Sequence, residues 1–158
     1  MINPGLASAL GRSALPRAVV KKNGNVTGGD DPIFDITGGP VFCQLYGIVT
    51  TVIGGAANAK LTITTTTPSA TVDMSAGAVA IDSDAAGTSY RSINTTAVFT
   101  PVTAGFVMTG NAFATQDVDF FCPIGTINFN TSAAQTGVVE WYCLYYPLSP
   151  LSQVASAA

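Results

Sequence analysis

Two runs in this chain are apolar on both sides of an extended backbone, Val41–Ile53 and Gly137–Tyr146. In the second, Val139, Trp141, Cys143 and Tyr145 fall on one side, and Glu140, Tyr142 and Leu144 on the other, because successive side chains of a strand point to opposite faces. A strand of that kind needs cover above and below, which predicts a central place in a layered sheet structure. Glycine and proline clusters such as Gly38-Gly39-Pro40 and Gly54-Gly55, together with Pro68, cut the rest of the body into strand lengths. Further strands are expected over Ile33–Thr37, Lys60–Thr67, Thr71–Met74, Ala78–Ile81, Ser92–Thr100, Phe106–Thr109, Asp117–Cys122 and Thr126–Asn130. No helical period is sustained and no repeat recurs at a fixed spacing. The expected fold is all-β: a single jelly-roll-like β-sandwich over residues 30–148, with its two long, two-sided strands meeting at the centre.

Charge separates the N-terminal segment from this body. Residues 1–29 carry Arg12, Arg17, Lys21 and Lys22 with no acid, for +4, whereas residues 30–158 carry Lys60 and Arg91 against nine acids, for −7. Pro4, Gly5, Gly11 and Pro16 break regular structure there, and Asn23-Gly24-Asn25 reads as a turn. Residues 1–29 are therefore expected to form an extended basic arm. Its four cations suit docking on an acidic surface, with Val19 and Val20 as apolar anchors. Four charges are too few to neutralise a genome, so nucleic acid is not the expected partner. Residues 149–158, small and polar after Pro147 and Pro150, are expected to be a flexible C-terminal tail.

The body points to self-association. Of its 158 residues 47% are hydrophobic, the net charge is only −3, and the mean hydropathy is +0.40, so some apolar surface should meet another subunit. A chain this long buries about 70% of its unfolded surface without a disulfide or metal staple. Tyr142 and Tyr146, on the side of the last long strand away from Trp141, are candidates for a subunit interface.

Catalytic chemistry is poorly provided for. There is no histidine and one glutamate, so few side chains can move a proton near neutral pH. None of the three lysines falls in a Ser-x-x-Lys arrangement, and no phosphate-binding glycine loop is present. Asp82-x-Asp84-x-x-Gly87 resembles a fragment of a calcium loop but lacks the remaining oxygen ligands. Asp117 and Asp119 share a strand face, where a solvated edge explains them better than acid–base work. A non-enzymatic protein with no cofactor and no metal is expected. Cys43, Cys122 and Cys143 make no CxxC pair and sit among apolar residues, as buried thiols do in a reducing compartment. Cys43 and Cys143 would become neighbours if the two long strands pair. No secretory signal is visible, and the uncharged stretch from Ile36 to Ala59 is broken by glycines and a proline, so no membrane association is expected.

Two segments carry a resemblance. Asp35-Ile-Thr-Gly-Gly-Pro-Val41 followed by Leu45-Tyr-Gly-Ile-Val-Thr-Thr51 resembles the first strands of small all-β proteins of tailed-phage virions. Gly125-Thr-Ile-Asn-Phe129, Thr136-Gly-Val-Val-Glu-Trp-Tyr142 and Tyr146-Pro-Leu148 are similar to their closing hairpin. The resemblance spans about a third of the chain and implies a capsid decoration, or cement, protein. Such a protein would be made in the host cytoplasm, would sit on the capsid surface as a homotrimer, and would bind the major capsid protein with an arm reaching over neighbouring subunits. A tail, neck or head-fibre component is the alternative within the virion, and a carbohydrate-binding adhesin module the alternative outside it.

Overall fold

A computed structural model describes residues 17–74, 78–91 and 120–158. Among the described residues it is all-β, with eleven strands in two antiparallel sheets. The strands are β1 (Arg17–Thr27), β2 (Asp30–Thr37), β3 (Val41–Thr51), β4 (Asn58–Thr66), β5 (Ser69–Asp73) and β6 (Val79–Ala80), followed by β7 (Ser89–Arg91), β8 (Phe120–Cys122), β9 (Gly125–Thr131), β10 (Ala134–Pro147) and β11 (Gln153–Ser156). Sheet I runs β1-β10-β3, and beyond β3 lie β7 and β8 on different parts of its length. Sheet II runs β11-β2-β9-β4-β5, with β6 also on β4.

The two long, two-sided strands do pair. β3 and β10 lie antiparallel at the centre of sheet I, from Val41 opposite Pro147 to Thr51 opposite Val138. Their inward residues Val41, Cys43, Leu45 and Val49, and Val139, Trp141 and Cys143, are at most 1% exposed. Sheet II supplies the opposing layer through Phe34, Ile36, Leu61, Ile63, Ile127 and Phe129. At the centre, the Trp141 ring lies 5.3 Å from Phe129 and stacks on Tyr90 at 6.2 Å. Space for the indole comes from Gly47, directly opposite on β3, and from Gly24 on β1; a Cβ at either position would fall 2.8 Å from a ring atom. Tyr90 closes the cluster by donating its hydroxyl to Asp84 Oδ2 at 2.6 Å. Burial, and then the Asp84 carboxylate, hold that phenol neutral far above its usual range.

Both chain-end expectations need correction. Residues 17–27 do not form a loose arm: they are the edge strand β1, paired with β10 from Arg17 opposite Tyr145 to Thr27 opposite Ala134. Asn23-Gly24-Asn25 is strand rather than turn, and Gly24 is there for the indole. The turn comes at Gly28, whose φ of +76° suits glycine and carries the chain from sheet I into sheet II. Residues 149–158 are not a loose tail either. Ser152 is fully buried and donates to the Pro40 carbonyl at 2.9 Å, after which β11 pairs with β2 and buries Val154. The segment β7 had no strand expectation, and those over Ser92–Thr100 and Phe106–Thr109 lie outside the described residues.

Candidate interaction surface

The alternation that buries Trp141 and Cys43 sends the intervening residues to the outer side of sheet I. On β3 these are Phe42, Gln44, Tyr46 and Ile48, and on β10 they are Tyr146, Leu144, Tyr142 and Glu140. The register sets them in rows: Phe42 beside Tyr146, Gln44 beside Leu144, Tyr46 beside Tyr142 and Ile48 beside Glu140. β8 extends the first row, because Phe121 pairs with Phe42 and meets it edge to face at 5.8 Å. Phe121 is 60% exposed, and Ile48 and Phe42 about 40%. Four rows at strand spacing across two strands, with Phe121 extending the first, span about 300 Å². The largest apolar patch of a single chain is commonly of this size and is often a binding surface, and the area is about two fifths of one partner's share of a standard interface.

On β3 and β10 the polar groups of this face pair along their own strands, while Ser89 and Arg91 of β7 stand opposite Ile48 and Tyr46. Tyr46 donates its hydroxyl to Gln44 Oε1 at 3.0 Å, and Tyr142 donates to the Glu140 carboxylate. Each is an i, i+2 pair along one strand, so it survives when a partner covers the sheet. A covering partner therefore removes water from rings and aliphatic groups without stranding those hydroxyls, which lowers the desolvation cost of association.

Of the residues singled out from sequence, Tyr142 and Tyr146 are both on this face and half-buried. Their neighbours Phe42, Tyr46, Ile48 and Phe121 were not singled out, although the two-sided apolar pattern of β3 was the signal that would have found them. Arg12 lies outside the described residues. Arg17, Val19, Val20, Lys21 and Lys22 belong to β1, the edge strand next to β10, with an irregular register between Val19 and Lys22; their side chains are outside the described set. Arg17, Lys21 and Lys22 thus lie on the strand that borders β10.

Two of the carboxylates noted in the sequence, Asp82 and Asp84, have structural partners. Asp82 Oδ1 accepts the Ala57 amide at 2.7 Å, and Asp84 accepts Tyr90, so this loop holds β3, β4 and β7 together. No group of three His, Cys, Asp or Glu side chains that could hold a metal ion occurs among the described residues. Asp117 and Asp119 are outside them. No helix among the described residues is long and apolar enough to cross a membrane.

Comparison with protein-family models, with curated proteins and with solved structures finds no match to this chain. The fold and this surface define its class on their own terms: a two-sheet, all-β protein with one aromatic outer face.

Proposed function

We propose that this chain is a non-enzymatic structural protein of a virion, a capsid decoration or cement protein that binds the outer shell of a tailed phage. The observation that carries the reading is the aromatic face of sheet I, which needs a protein partner to cover it. Strand order supports the finer fold reading, a jelly roll. Taking β1–β5 and β8–β10 as its eight strands, the sheets run β1-β10-β3-β8 and β2-β9-β4-β5, so the first strand pairs with the last and the chain alternates between layers as two Greek keys require. In this reading the rows around Tyr142 and Tyr146 make the contact between copies in a homotrimer. The basic residues Arg12, Arg17, Lys21 and Lys22 dock the trimer on the major capsid protein. Many weak contacts on a symmetric lattice add by multivalency, so no deep pocket is needed.

The test is native mass followed by shell binding. Light scattering on the eluting protein should give about three times the 16.1 kDa chain mass, and the trimer should co-sediment with capsids stripped of their decoration protein. A monomer that also fails to bind such capsids would sink the proposal. Copy number per particle separates shell from tail: hundreds of copies are expected, and a handful would move the protein to a neck or fibre.

A further inference from the structure

The pairing of β3 and β10 makes Cys43 and Cys143 diagonal neighbours, as the sequence suggested, and β8 gives Cys43 a second one. Cys43 on β3 and Cys122 on β8 place their Sγ atoms 3.2 Å apart, and both residues are completely buried. The register explains the meeting: Cys43 lies opposite Phe120 and Cys122 opposite Val41, so the two thiols are diagonal neighbours on the core side of one antiparallel pair. Cys143 on β10 stands opposite Leu45. None of the three cysteines forms a disulfide.

We propose that Cys43 and Cys122 are a redox-responsive pair that closes into a disulfide when the protein meets a small-molecule disulfide oxidant, stapling β8 to the centre of sheet I. Bond formation needs the sulfurs to approach by about 1.2 Å, from their contact to bonding distance. β8 can supply that movement, because it has three residues and pairs with β3 alone among the described strands. In the reaction one cysteine thiolate attacks the oxidant's disulfide and expels one small thiolate. The second cysteine then attacks the mixed disulfide and expels the other. The two electrons reduce the oxidant, and the two thiol protons end on the two small thiols released. The hydrogen bond shared with Cys43, and then burial, push the Cys122 thiol far above its ordinary range. Exchange therefore waits for the β8 edge to open, and closure is slow. The staple joins residues 79 positions apart, so it removes a long loop from the unfolded chain. Its use rests on the virion reading: pairs reduced during assembly in the cytoplasm would lock after release into an oxidising medium. The bond itself does not depend on that reading.

The experiment uses the full chain, purified reduced and then incubated with glutathione disulfide. Cleavage after Lys, Arg and Glu140 puts Cys43 in 23–60, Cys122 in 92–140 and Cys143 in 141–158. Mass spectrometry should find 23–60 joined to 92–140, with a loss of two hydrogens. The melting temperature should rise by about 5–10 °C and return on reduction. Cys143→Ser should keep the rise on oxidation, and Cys122→Ser should lose it. A link from 23–60 to 141–158, or three cysteines still unlinked after incubation close to the melting midpoint, would overturn the proposal. The peptide map of the parent chain decides the matter even if a serine variant does not fold. Failure to form the bond leaves capsid binding unaffected, so the two proposals fail separately.

Discussion

The two sheets obey the same alternation but turn opposite chemistries outward. On sheet II, Thr62, Thr64, Thr71, Thr126, Asn128 and Asn130 face away from the core and bond to one another. Asn128 Nδ2 donates to Thr62 Oγ1 at 3.3 Å and to Thr64 Oγ1 at 3.1 Å, and the Thr64 and Thr71 hydroxyls lie 3.0 Å apart. The Asp30 carboxylate accepts from Thr62 and Asn130, Asp35 accepts from Thr126, and Lys60 pairs with Asp73. Thr62 and Asn128 are only 2–3% exposed, and among the described residues no second layer of strands lies above them. That face is closed within the chain. On sheet I the equivalent positions hold rings and aliphatic side chains, and Phe121 keeps 60% of its surface. Strand geometry alone does not decide which outer face binds; the decision lies in whether short polar side chains can satisfy one another or large apolar ones are left to find cover.

The largest effect that would break this contrast is expected on sheet I. Replacing Phe42 and Phe121 together by Asp should weaken association by at least a hundredfold, since two hot-spot side chains each contribute about 2 kcal/mol or more. Native mass should fall to that of one chain while the melting temperature of the monomer changes little. An unchanged mass would remove this face from the interface. On sheet II the pattern should reverse. Asn128→Ala leaves the Thr62 and Thr64 hydroxyls short of a buried donor and should cost about 1–3 kcal/mol in urea unfolding, with no change in mass. The smallest effect is expected from Tyr142→Phe, which removes the hydroxyl bonded to Glu140 and keeps the ring. Association should weaken by less than about 1 kcal/mol; a loss as large as that of the Phe42 and Phe121 pair would mean that the face binds through its polar groups.

The central pairing of β3 and β10 was legible because a strand apolar on both sides has few places to go, and Val139, Trp141, Cys143 and Tyr145 sorted correctly to the core. The edges were less legible, and for a physical reason. β1 is a strand because β10 has a free side to fill, and β11 because β2 does; neither fact is local to the residues concerned. Gly24 reads as a turn residue from its neighbours, yet its missing side chain serves an indole more than a hundred residues later. Two of the five rings of the aromatic face were visible in Tyr142 and Tyr146, while Phe121 joined it only through the register of a three-residue strand. β3 lies between β8 and β10, so Cys43 has a diagonal neighbour on each, Cys122 and Cys143; its sulfur contact with Cys122 depends on the register of β8, which no spacing rule would give.

Trp141 is the chain's single tryptophan, 1% exposed, wedged between two glycines and stacked on a tyrosine at the junction of both sheets. Its emission is therefore a built-in optical gauge of the sandwich interior: blue-shifted while the layers hold together and moving to the red when they part. The docking proposed for the outer face of sheet I would take place on the far side of β10 from the indole, so the same signal should stay silent as partners come and go. Unfolding and assembly can then be followed separately in one unlabelled sample.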